Sequence, residues 1–136
     1  MLACVFTVQS CGGNNKVATE CFQLQETINT HQASFSAGSI NKASETAKAQ
    51  AEKDFADTLT AVELSDGELQ ERRDRIVPFS REAHTFSRQA ANVMTEDGTL
   101  SGEAATQYES ILAERQTVND QLFAEQNGLQ IHCSLQ

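Results

Sequence analysis

One sustained helical repeat, running from Ser65 to Met94, limits what this chain can become. Leu69, Ile76, Phe79, Ala83, Phe86, Ala90 and Val93 recur in steps of three, four and seven, which places them on one stripe of a helix. Ser65 or Asp66 can cap its start, Glu68 suits the first turn, and Thr95 to Gly98 ends it. Pro78 removes one backbone bond in the middle, so the sequence predicts a kink near Asp74–Val77. The apolar repeat continues across it, so the helix is expected to bend and go on. A long helix with one apolar stripe must bury that stripe against partners of the same kind.

The partners are legible on either side. Val17, Cys21, Leu24, Ile28, His31 and Phe35 mark a first helix over about 18–36. Ser36–Ser39 reads as a break around Gly38, although a glycine there would also permit one continuous rod. A second helix over about 40–63 is capped by Ser39 or Asn41 and carries Ala43, Ala47, Ala51, Phe55, Leu59 and Val62 inward. A fourth, over about 102–127, follows a Ser101 cap with Ala104, Tyr108, Ile111, Arg115, Val118 and Leu122. Asn127–Gly128 is its expected stop, and Leu129, Ile131 and Leu135 are expected to fold back over the bundle end. Four such helices on short links give an all-α, antiparallel up-down-up-down four-helix bundle with a kinked third helix.

Composition agrees. Apolar residues are 39% of the 136, aromatics only 6%, Trp is absent and Pro occurs once, so period-two runs of β-branched and aromatic residues are missing. The length is that of one domain. A net charge of −9 argues against nucleic acid, whose binding rests on clustered cations, and against an anionic bilayer surface.

The N-terminus has a different character. Leu2–Val8 is an uncharged apolar run, too short to span a bilayer, followed by Val8-Gln9-Ser10-Cys11 and the polar tract Gly12–Asn15. This resembles the lipobox of bacterial lipoproteins. The resemblance implies a signal peptide over 1–10, acylation of Cys11, a tether over 11–17, and an extracytoplasmic bundle over 18–136. Cys21 and Cys133 then remain as an even pair, suited to a disulfide in an oxidising compartment; in a reducing cytosol they would be two buried thiols. The bundle topology brings the start of the first helix and the end of the fourth to one pole, where that pair would meet.

Candidates for chemistry are few. His31, Met94 and Tyr108, with Glu45, are expected at one height inside the bundle and could hold a small ligand, a metal or a non-covalent haem. A lone histidine on an apolar stripe is otherwise a core residue. Glu82 and His84 are two apart and diverge around the helix, so no Glu-x-x-His pair of the di-iron kind exists, and His84 is expected to face solvent. Half of the ten basic residues, Arg72, Arg73, Arg75, Arg81 and Arg88, form a solvated, salt-bridged face or a docking patch for an acidic partner. Arg72 and Arg115 land on stripe positions, where their stems are expected to cover core edges with the charged heads reaching out; the alternative is that one is buried against a carboxylate, with Glu82 level with Arg115 as the partner. No catalytic residue, resident metal or cofactor is assigned. The expected role is a non-enzymatic binding, accessory or assembly factor, lipid-anchored to a membrane and acting on a membrane-associated protein. The alternative is a carrier built around His31.

Overall fold

A computed structural model of the chain describes residues 14–34 and 40–136. Among these, every regular element is a helix: α1 Asn14–Ser34, α2 Lys42–Ala61, α3 Gly67–Val93 and α4 Glu103–Ser134. They form an antiparallel four-helix bundle. The predicted signal and lipidation segment, and the break around Gly38 with Phe35, lie outside the described residues.

Capping sets the registers. Asn41 accepts from the Ser44 amide at 2.8 Å while the Ser44 hydroxyl accepts from the Asn41 amide at 3.1 Å, a reciprocal box that starts α2. Asp66 caps α3 by accepting from the Leu69 amide at 2.9 Å. A second carboxylate reaches the same helix start from another element: Glu20 of α1 accepts from the Ser65 amide, the Ser65 hydroxyl and the Asp66 amide at 2.8, 2.6 and 3.1 Å. Burial pushes the Glu20 carboxyl up, but these hydrogen bonds outweigh it and hold it below the usual range.

Near this pole Cys21 of α1 meets Cys133 of α4, with the sulfurs at bonding distance and the Cα atoms 5.7 Å apart. Cys21, Leu24, Ile28, Phe55, Leu59, Leu69, Ile76, Leu122 and Leu129 pack into one apolar cluster above it. At the other pole the α3–α4 turn closes on the start of α2. Gly98 has a φ of +82°, and a Cβ there would sit 2.7 Å from the Ile40 carbonyl oxygen. Only glycine fits both demands.

The helices are unequal. The α2–α3 and α3–α4 interfaces are extensive and α1 is the lightly attached member. From Cys21 to Ser34, the last described residue of α1, is about 20 Å of helix.

α2 and α3 approach closely because small residues line both. Ala49, Ala56, Ser80, Ala83, Ser87, Ala90 and Ala91 are buried between the helices and their neighbours. The Ser80 hydroxyl donates across to the Glu52 carbonyl at 2.8 Å. His84 is half-buried, not solvent-facing: its Nδ1 lies 2.6 Å from the Ala49 carbonyl, which can only accept, so that nitrogen carries the proton.

Several boundaries depart from the sequence reading. α1 starts a turn early, so Asn14–Val17 are helical instead of tether, and Thr19 lies inside the helix. α3, by contrast, runs on through Pro78 as expected, with Pro78 on an exposed side. Gly102, not Ser101, holds the N-cap position of α4, with no side-chain cap. Most notably, Asn127–Gly128 does not stop α4, which continues to Ser134. Helical continuation is what carries Leu129 into the core and Cys133 onto Cys21, while Ile131 and Leu135 stay exposed instead of folding back.

Candidate functional site: a buried polar seam beside two clefts

Polar groups interrupt the core midway along α2. Glu45 and Arg115 face each other between α2 and α4, with Oε2 and an Nη 2.5 Å apart and both side chains withdrawn from solvent. The Ser87 hydroxyl of α3 lies 3.4 Å from the same guanidinium, and Lys48 Nζ is 3.8 Å from the second Glu45 oxygen. Glu82, the expected partner of Arg115, is exposed on the opposite side of α3. The reason is rotational: Phe55 and Leu59 of the predicted α2 stripe do face inward, but in the first half of the helix the inward positions are Glu45, Ala49 and Glu52 in place of Ala43, Ala47 and Ala51.

Glu52, one turn beyond Lys48, is only 4% exposed. Its carboxyl is pushed up to about 7, first by burial and further by Glu45; the Ser87 hydroxyl, Arg115 and Lys48 pull in the opposite direction and do not offset it. Oε2 of Glu52 has no hydrogen-bond partner. A buried carboxyl oxygen in that state costs stability of order 1–3 kcal/mol unless something completes it.

His31 is buried against the same region from α1. Its ring stacks on Phe55, centroids 3.9 Å apart and planes within 9°, and hydrogen-bonds to the Ala51 backbone. Burial pulls its pKa down to about 4. It stands level with Ala51–Phe55, roughly two turns from Glu45, because the cystine and the Glu20 cap fix the height of α1. Met94 and Tyr108 belong elsewhere: they pack together with Ala90 near the far pole, where burial first and then Glu45 raise the Tyr108 phenol. The sequence-predicted trio is therefore not brought together. Among the described residues no group of three or more His, Cys, Asp or Glu could hold a metal ion.

The arginine face is largely tied up within the chain. Arg72 pairs with Glu68 at 3.0 Å, Arg73 with Asp74 at 3.0 Å and with the Val62 carbonyl at 2.7 Å, Arg75 with Glu71, and Arg81 with Asp57 at 3.2 Å; Arg88 is exposed. Glu68 also lies 3.2 Å from His132 beside the cystine.

Because α1 touches the bundle lightly, clefts open on both of its flanks. One of about 750 Å³ lies between α1 and α2, walled by His31, Phe55 and three threonines. The other side has two connected parts. A cleft of about 570 Å³ reaches from Lys48, Glu52 and Arg115 to Gln126, and a smaller one of about 260 Å³ continues between α1 and α4 toward Gln130. Gln32, Phe123 and Gln126 belong to both parts, and a long 3.4 Å contact from Gln32 Nε2 to Gln126 Oε1 crosses between them. Sequence reasoning missed this groove. Its signal was present in the density of Gln and Asn on facing sides of α1 and α4, but amides on helices read as ordinary solvated surface.

No protein-family model, curated protein or solved structure matches this chain.

Proposed function

We propose that this chain is a non-enzymatic binding or accessory factor of an extracytoplasmic compartment, tethered to a bacterial membrane through an acylated Cys11 and acting on a membrane-associated partner. The observation that carries the reading is the meeting of Cys21 and Cys133. A cross-link between the first and last helices persists in oxidising surroundings and is lost to reductants in the cytosol. With that pair committed to each other, the lipobox-like Val8–Cys11 gives Cys11 a separate chemical use.

Geometry supports the tether as well. α1 begins at Asn14 on the cystine side of the bundle, and three residues span at most about 10 Å, so an acyl group on Cys11 would hold that pole near the bilayer. No helix among the described residues is long and apolar enough to cross a membrane, so attachment in this reading is by the acyl chain. The clefts beside α1 supply the binding surface.

The test is labelling of the full chain in its native host with a traceable fatty acid, together with thiol trapping after acid quench. The expected result is label that Cys11→Ser abolishes, Cys21 and Cys133 that alkylate only after reduction, and in-membrane crosslinks to a membrane protein. An unmodified Met1, or free Cys21 and Cys133 thiols in quenched cells, would overturn the reading.

A further inference from the structure

We propose that the groove between α1 and α4, with the Glu52 cleft at its deep end, is a binding site for a neutral oligosaccharide. The proposal deepens the reading of the chain as a binding factor and rests on it, but it does not require the anchor.

The walls supply the first argument. Gln25, Asn29 and Gln32 of α1 face Gln126, Asn127 and Gln130 of α4 in the smaller part, which contains no charged side chain although the protein carries a net charge of −9. An amide offers a donor and an acceptor on one planar group, and a sugar hydroxyl offers both on one atom, so the two pair without an ionic component. Walls made for an ion would carry the opposite charge instead. Gln116 and Asn119 continue the same chemistry into the deeper part, giving a track along α4 of about 20 Å, room for a few pyranose rings.

The deep end supplies the second. Glu52 is 96% removed from solvent and lines the cleft, and its buried Oε2 has no partner, so a small turn of the carboxyl toward the cleft would let a ligand hydroxyl complete it. The charges around it, Lys48 and Arg115 against Glu45, already offset one another when Glu52 is ionised. A cationic ligand would unbalance that set, whereas a hydroxyl completes the oxygen at no cost in charge.

The third is Phe123, 64% exposed and part of both portions of the groove. An exposed ring among amides offers a flat apolar face to the C–H face of a pyranose. The 3.4 Å Gln32–Gln126 contact is at the long end of hydrogen-bond distances, so an incoming hydroxyl displaces little.

The experiment uses the full oxidised chain in mild detergent, titrated with maltotetraose and tetra-N-acetylchitotetraose while amide and side-chain NMR shifts are followed. A neutral Gly/Ala tetrapeptide serves as the comparison. The expected result is saturable shifts with at least one tetrasaccharide, confined to Gln32, Glu52, Phe123 and Gln126. Phe123→Ala, a surface change that leaves the core alone, is expected to weaken binding about fivefold to tenfold. Glu52→Gln, which keeps the shape, is expected to weaken it comparably. The proposal is overturned if neither sugar shifts these residues at millimolar concentration, if both folded variants bind as the parent does, or if the tetrapeptide alone occupies the groove.

Discussion

Arg115 on α4 and Glu45 on α2 form an ion pair at 2.5 Å in the middle of the bundle, with side-chain exposures of 10% and 3%. A pair this far from water gains its worth from being complete. Removing one member leaves a buried charge that Ser87, Lys48 or Glu52 can satisfy only in part. Arg115→Met or Glu45→Gln should each cost about 3–5 kcal/mol, and the double variant clearly less than the sum. Urea denaturation of the four proteins in a double-mutant cycle measures this directly.

Gly128 gives a prediction of opposite sign. It is helical, and a Cβ there would meet only an Arg72 terminal nitrogen, at 3.3 Å. That nitrogen sits at the tip of a flexible side chain and can shift a few tenths of an ångström. Gly128→Ala should therefore stabilise the protein by about 0.5–1 kcal/mol, read as a raised thermal midpoint. Gly98→Ala, where the φ is positive and the Ile40 carbonyl closes the space, should lower it.

Glu52 and His31 should pull the pH dependence in opposite directions. Burial pushes the Glu52 carboxyl from its ordinary value of 4.5 up to about 7, so its folded form holds a proton longer and its contribution is lost as pH rises from about 4.5 through 7. His31 titrates near 4 folded against 6.5, so its contribution is lost as pH falls from about 6.5 through 4. The two slopes largely cancel between them. Glu52→Gln should expose a stability that rises with pH over that interval, and His31→Phe one that falls, each by up to about 3 kcal/mol. Equilibrium urea titrations at half-unit steps would show the opposed slopes; parallel profiles for both variants would contradict the assignment.

Breaking the cystine should act first on α1. Loop-closure entropy for a separation of 112 residues predicts a loss of up to about 4–5 kcal/mol, and the light attachment of α1 localises it. In Cys21→Ser/Cys133→Ser, hydrogen exchange should quicken over residues 17–32 well before it does in α3. A uniform loss across all helices would indicate that the bundle is one cooperative unit.

The helices and their antiparallel order were legible because Leu, Ile and Phe recur at helical spacing in α1, α3 and α4, and the meeting of Cys21 with Cys133 followed from that order. What failed was rotation and height. Alanines at 43, 47, 49, 51 and 56 surround α2, so hydrophobicity alone could not tell which side faces inward, and the true face carries two glutamates. On α3 the phenylalanines at 79 and 86 drew the stripe one position away from Ser80 and Ser87, which are central because α2 comes too close for anything larger. His31 was placed beside Met94 and Tyr108 by counting along loops, whereas a covalent link and the Glu20 cap at the opposite pole set its level. Gly128 was read as a stop, although glycine ends a helix only where the chain turns into positive φ, and here it does not.

The light attachment of α1, held chiefly at one pole, makes it less a pillar of the bundle than a flap on a latch. Whatever occupies the space beside it meets a wall whose position is guaranteed by one sulfur–sulfur bond. The redox poise of the surroundings thus governs recognition as well as durability, since a reduced molecule would keep three of its helices and lose one side of its groove.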